Sequence, residues 1–219
     1  MKITELVGIK NQLKKLPDPT KRKYGSTINP PDEFTSIMTD NGFSVMGTGS
    51  EGTVWSHPNL SYVLKLFNAK DQAYIDWVSV SMKHKNNPHM PKFISPRVIR
   101  ITSDIVAIRM ESLRPVKEYS ELWRIYEYSD SIIASGLELD TLPSEVIEDD
   151  KRISKQPGFQ QKHFDIFNKY CQSHPQWIEA LDIVCNFFKT SNHFNDLHGG
   201  NLMIRDSDTL VITDPASTN

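Results

Sequence analysis

Residues 193–219 read HFNDLHGGNLMIRDSDTLVITDPASTN and bring Asp196, His198, Asn201, Asp206, Asp208 and Asp214 into one stretch. Asp196 and Asn201 stand five residues apart across Gly199-Gly200. The apolar run Leu202-Met203-Ile204 follows, then the turn sequence Arg205-Asp206-Ser207-Asp208, then Thr209 to Thr213, which delivers Asp214. Two short apolar runs around a polar turn predict a hairpin. Such a hairpin sets Asn201 and Asp214 side by side with Asp196 just ahead of it, and leaves Asp206 and Asp208 in the turn. Transfer of a phosphoryl group needs a carboxylate to orient and deprotonate an attacking hydroxyl, plus hard oxygen ligands for Mg²⁺. Asp196 fits the first need; Asn201 and Asp214 fit the second.

A glycine-rich segment lies far upstream. GTGSEGTV, residues 47–54, has glycines at its first, third and sixth positions. In a dinucleotide-binding fold this pattern opens a helix. Here TVWSHP follows, β-branched and aromatic and then a turn, so the loop is expected to join two strands. Such a loop can fold over nucleotide phosphates, because glycine lets backbone N–H groups approach closely. Eleven residues after Val54 stands Lys65, flanked by Val63, Leu64, Leu66 and Phe67. A lysine on the solvent face of an alternating strand is one reading. A phosphate-contacting lysine is the other, and the glycine-rich loop upstream favours it, since an unpaired buried ammonium is costly.

The elements between these motifs predict an α+β chain. Residues 3–16 carry apolar positions at helical spacing, closed by Pro17 and Pro19, and residues 17–32 read as a loop. PPDEFTSIMTDNG reads as a short helix with Asn41-Gly42 as its C-terminal cap. From Phe43 the period changes: FSVMG, TVWSH, YVLKLF, SPRVIRI and DIVAIRM predict five strands, interrupted by a helix over Asp71 to His84. After Pro115 three helices are expected, over 120–136, 159–172 and 175–191. Their core faces are read as Leu122, Ile125, Tyr126, Ile132 and Ile133 in the first, and Trp177, Leu181, Val184 and Phe188 in the last. The stretch 137–152, acidic and then basic, reads as an exposed loop. A sheet-rich first half therefore joins a helical second half near residues 112–116.

Composition narrows the class. The chain has 219 residues, 38% hydrophobic and 24% charged, with a net charge of −2. That balance is ordinary for a globular protein and argues for neither nucleic-acid nor membrane binding. Cys171 and Cys185 are its two cysteines, without a Cys-x-x-Cys pair, so neither a zinc site nor a disulfide framework is expected. The first residues lack the apolar run of a signal peptide, and no segment reaches the ~20 apolar residues that span a bilayer. A cytoplasmic protein is expected.

The order of glycine-rich loop, strand lysine, Asp-Leu-x-x-x-Asn loop and an aspartate after an apolar strand resembles the protein-kinase-like superfamily. The thirteen-residue step from Asn201 to Asp214 is also typical of it. DNGFSVMGTGSEGTVWSHPNL leading to VLKLF, and DLHGGNLM leading to ITDPAS, are most similar to the serine/threonine protein kinases of T7-type bacteriophages. The resemblance covers about residues 43–219. It implies a two-lobed fold: an antiparallel-sheet N-lobe with one helix over 43–113, and a reduced, mainly helical C-lobe over 114–219. Residues 1–42 form an N-terminal helical extension and linker. It implies ATP and Mg²⁺ as cofactors. The substrates would be host proteins of transcription or RNA processing, in the host cytoplasm. By the same resemblance Asp196 is the catalytic base, Lys65 bridges the α and β phosphates, and Asn201 and Asp214 hold Mg²⁺. Gly47, Thr48, Gly49, Ser50, Gly52 and Val54 line the phosphate loop. Met110 borders the adenine, which the backbone of Glu111 and Leu113 would bond.

Four departures from that pattern stand out. Phe194 replaces the usual histidine two residues before the base. His198 stands where protein kinases carry lysine, as in kinases of the aminoglycoside-phosphotransferase type; it would assist at the γ-phosphate or stabilise the turn. The metal-binding motif reads Asp214-Pro215-Ala216, and proline disfavours a flip there. The helix over 71–84 has no glutamate to pair Lys65, which leaves Asp76 or Asp71, with Asp76 favoured. With five residues after Asp214, substrate contacts are expected from residues 117–190 and the acidic loop at Glu145 to Asp150. Ser217 and Thr218, read as a short free tail, are candidate autophosphorylation sites. A small-molecule kinase and a non-catalytic binding module are the alternative readings; retention of Lys65, Asp196, Asn201 and Asp214 speaks against the second.

Overall fold

The computed structural model describes Asn11 and residues 32–49, 52–94, 97–135 and 161–217. The expected helix over 3–16, the loop at 17–31, Ser50, the acidic loop at 145–150 and Thr218 lie outside the described residues. The chain divides into two compact units. The first comprises residues 1–75 and 92–112; the second comprises 76–91 and 113–219. The break at 112/113 falls where the composition changes, while 76–91, inside the expected sheet-rich half, groups with the helical unit.

The first unit is built on a five-stranded antiparallel sheet: β1 (Ser44–Thr48), β2 (Gly52–Ser56), β3 (Tyr62–Asn68), β4 (Ile99–Arg100) and β5 (Ile105–Glu111), in the order β1-β2-β3-β5-β4. All five expected strands are present. The helix α1 (Asp32–Asp40) covers one sheet face. Phe34 and Met38 pack there with Trp55, Leu64, Leu66, Ile105 and Ala107. Its end follows the sequence signal. Gly42, at φ +81°, donates to the Thr39 carbonyl at 2.9 Å, and Phe43 donates to Met38 at 3.0 Å. This is the paired-bond helix stop that needs a left-handed residue after the cap. The alternation of β3 sends Leu64 and Leu66 to the α1 side and Val63, Lys65 and Phe67 to the other.

The helix α2 (Gln72–Lys83) follows β3. Asp71 caps it, its carboxylate accepting the Tyr74 N–H at 3.0 Å. The second unit holds α3 (Glu121–Ser135), α4 (Gln161–Ser173) and α5 (Gln176–Thr190). Tyr128 packs against Phe167 with ring centroids 4.7 Å apart, and the Trp177 indole donates to Ser129 at 3.3 Å. The core face of α3 is therefore Ile125, Tyr128, Ser129 and Ile132, with Tyr126 half-buried, and α5 buries Phe187 where Phe188 was expected. Both differences are rotations of the core stripe within an unchanged helix. Short strands complete the unit: β6 (Arg114–Pro115), β8 (Leu202–Arg205) and β9 (Thr209–Ile212) form one sheet, β7 (Phe194–Asn195) and β10 (Ala216–Ser217) another. Cys171 and Cys185 are free and half-buried; burial raises both thiols, that of Cys171 to about 12. Among the described residues no helix is long and apolar enough to cross a membrane.

Candidate active site

The residues expected to carry chemistry form one group in each unit. In the second unit, Asp196, Asn201 and Asp214 are tied together through their backbones. Asp196 donates its N–H to the Pro215 carbonyl at 2.8 Å, extending the antiparallel pairing of β7 with β10. The Asn201 side-chain amide donates to the Asp196 carbonyl at 2.7 Å. The Asn201 carbonyl accepts both the backbone N–H and the hydroxyl of Thr213, each at 2.9 Å. Asp214 is thus held between Thr213, bonded to Asn201, and Pro215, bonded to Asp196. The β8–β9 hairpin, with Leu202 opposite Ile212, sets this register.

The turn itself leaves little freedom. Gly199 to Asn201 form a single 3₁₀ turn, closed by Asn201 N–H to the His198 carbonyl at 2.8 Å. A Cβ on Gly199 would lie 2.0 Å from the Trp123 ring of α3, so no larger residue fits without moving that indole. Tyr126 donates its hydroxyl to the Leu197 carbonyl at 3.4 Å, and Asn195 donates to Asp130 at 3.4 Å. Desolvation raises the Asp130 carboxyl above its usual range, with the Asn195 bond opposing. The His198 ring accepts the Gly200 N–H through Nδ1 at 3.1 Å, which gives His198 a turn-stabilising role. His193, three residues ahead of Asp196, has its Nε2 2.9 Å from Asp76 of α2. Ser217 is paired with Phe194 in β10, so the tail expected to be free is ordered at that position.

Asn201 spends its Nδ2 on the Asp196 carbonyl, and among the described residues its amide oxygen accepts no hydrogen bond. Together with the Asp214 carboxylate it offers two hard oxygen donors on one hairpin. That donor set fits Mg²⁺, which is commonly held by one or two protein oxygens with phosphate and water completing the octahedron. Among the described residues no cluster of three or more His, Cys, Asp or Glu side chains forms a metal site of its own.

In the first unit, the glycine loop joins β1 to β2 as expected, with Gly49 donating to the Gly52 carbonyl at 2.9 Å. The glycines are not equivalent. A Cβ on Gly52 would fall 2.2 Å from the Leu66 carbonyl, whereas one on Gly47 meets nothing within 4 Å. Thr48 ends β1 and is exposed. Gly47, Val54, Lys65 and Ile108 are successive cross-strand partners, so they share the sheet face opposite α1. On that face the Lys65 ammonium lies 3.5 Å from the centroid of the buried Tyr74 ring. Met110 is buried and accepts a weak hydrogen bond from the Tyr74 hydroxyl at 3.9 Å. Glu111 donates its N–H to the Lys92 carbonyl at 2.9 Å, so that donor is committed within the unit. Leu113 lies half-buried between β5 and β6. Asp71 caps α2 by accepting the Tyr74 N–H.

His89 escaped the sequence reading. Its ring is fully buried and bonds the Leu210 carbonyl through Nδ1 at 2.7 Å, while its own carbonyl accepts the Ile212 N–H at 3.0 Å. Both bonds hold β9, the strand leading to Asp214. Desolvation lowers the imidazole pKa to about 4, against the Leu210 bond, which raises it. No local signal marks a histidine whose partners lie more than a hundred residues away. No protein-family model matches the chain, and no curated protein matches it significantly.

Proposed function

We propose that the chain is a Mg²⁺- and ATP-dependent phosphotransferase with a protein-kinase-like fold, acting on serine or threonine hydroxyls of proteins. The observation that carries this reading is the hydrogen-bonded triangle of Asp196, Asn201 and the Thr213–Pro215 segment. It brings a carboxylate base and two hard oxygen donors into one small loop before any ligand arrives. Preorganisation of this kind is what phosphoryl transfer asks of a protein, since positioning and electrostatics supply most of the catalysis.

In this reading Asp196 orients the acceptor hydroxyl and takes its proton. Asn201 and Asp214 hold Mg²⁺, which neutralises charge on the phosphates. Lys65 contacts the α and β phosphates, and the β1–β2 loop covers them, Gly52 being the glycine that its packing demands. The choice of proteins as substrates, and of host transcription or RNA-processing proteins among them, follows the sequence resemblance to phage serine/threonine kinases. Incubation with γ-labelled ATP and either casein or bacterial lysate tests it. Labelled protein is expected with the native chain and not with Asp196→Ala, which should still bind nucleotide. Equal labelling by both removes Asp196 as the base. Label appearing only in small molecules replaces protein by a metabolite as the acceptor.

A further inference from the structure

The peptide unit that follows Asp196 is held from opposite ends by two asparagines. Its carbonyl, that of Asp196, accepts from the Asn201 amide at 2.7 Å. Its N–H, that of Leu197, donates to Oδ1 of Asn195 at 2.9 Å. This second bond joins a side chain to the backbone two residues on, the Asx turn by which asparagine imitates a backbone turn. Asp196 sits at its centre. The peptide unit before Asp196 is held as well, through its N–H to the Pro215 carbonyl at 2.8 Å. Both planes flanking Asp196 are therefore fixed, and with them the direction in which its side chain leaves the backbone.

We propose that Asn195 is a positioning residue for Asp196, closing the turn that aims the base. This rests on the catalytic role proposed for Asp196. Asn195 has a second contact, its Nδ2 donating to Asp130 of α3 at 3.4 Å. The two contacts ask for opposite ends of one amide: an acceptor toward Leu197 and a donor toward Asp130. Asparagine supplies both and is thereby fixed against a flip of its amide. Aspartate at this position would keep the acceptor but set a second carboxylate against Asp130. Alanine would lose both contacts.

The test uses the full chain, first without nucleotide. Amide hydrogen exchange followed by NMR should show the Leu197 N–H protected in the native protein, and exchanging about three- to tenfold faster in Asn195→Ala. Steady-state phosphorylation of casein with Mg-ATP should show kcat about three- to tenfold lower in Asn195→Ala and in Asn195→Asp, with KM for ATP unchanged. Combining Asn195→Asp with Asp130→Asn exchanges donor and acceptor across the pair, and should recover most of the lost kcat. A Leu197 amide that exchanges at the free-peptide rate in the native protein overturns the proposal without any variant having to fold. So does an unchanged kcat in Asn195→Ala, or a double variant no better than Asn195→Asp alone. A native chain that transfers no phosphate defeats the proposed function instead, and Leu197 exchange still decides whether Asn195 closes the turn.

Discussion

Gly199→Ala is the sharpest structural test of the candidate active site. The new methyl carbon would sit 2.0 and 2.1 Å from two carbons of the Trp123 six-membered ring. Carbon atoms pack at about 3.5–4.0 Å, so the indole edge must retreat by roughly 1.5–2 Å, or the turn must open. Retreat of the ring disturbs its hydrogen bond to Glu127, 3.2 Å in the native chain. Overpacking of this kind costs about 1–3 kcal/mol, and the half-buried setting of Trp123 lets part of it relax, which leaves a cost of about 2 kcal/mol. For a chain of this size that is a fall in Tm of about 4–8 °C. Turnover should fall further than stability, because Gly199 lies between Asp196 and Asn201 and opening the turn lengthens their 2.7 Å bond. The assay is thermal unfolding followed by near-UV circular dichroism, on Gly199→Ala, Trp123→Leu and the double variant. Removing the indole makes room for the methyl group, so the double variant should resemble Trp123→Leu alone, with a coupling energy of about 1–2 kcal/mol. Additive losses, or a Gly199→Ala protein with native Tm, would refute the clash as the reason for glycine.

Three further outcomes follow from the geometry. Gly52→Ala should destabilise the first unit by about 2 kcal/mol or more, its methyl meeting the Leu66 carbonyl at 2.2 Å, while Gly47→Ala should be nearly neutral; urea unfolding curves of the two separate them. Asp214→Ala should abolish the Mg²⁺-dependent part of ATP binding in calorimetry with and without the metal, and unchanged Mg²⁺ dependence would remove Asp214 from the cation site. His89 titrates near 4 in the folded chain and near 6.5 when unfolded, so the unfolded state binds the extra proton first. Stability should therefore fall as the pH drops through 6.5 toward 4, by about 3 kcal/mol in all from this group, and be unaffected by it above 6.5. His89→Gln should flatten that part of the profile in chemical unfolding at pH 7, 5 and 4, and identical slopes would refute the assignment.

The strands of the first unit were legible because turn-forming residues separate them, and because their β-branched and aromatic content is high. The α1 stop was legible for a similar local reason: Asn41-Gly42 supplies the left-handed residue that two carbonyls require. Core stripes were read less well. Tyr126 and Tyr128 are both aromatic and two positions apart, so composition cannot say which one the 3.6-residue period turns inward. Packing against Phe167 of α4 decides it for Tyr128, which leaves Tyr126 to reach the Leu197 carbonyl.

The site divides along the same line. Asp196, Asn201 and Asp214 were legible as a set because a hairpin converts sequence spacing directly into proximity: Leu202 faces Ile212, so the residues just outside that pair must meet. What supports them was not, because every support comes from a distant element. Trp123 closes over Gly199, Asp130 meets Asn195, Asp76 meets His193 and His89 pins β9, each across many tens of residues. Such contacts depend on how helices rotate and where strands pair, which no window of sequence contains. Glycine is the informative exception. Gly47 and Gly52 both belong to the loop motif, yet of the two only Gly52 has a carbonyl where a side chain would go. A motif therefore shows that a close approach is possible, and only the neighbouring strand shows which glycine makes it.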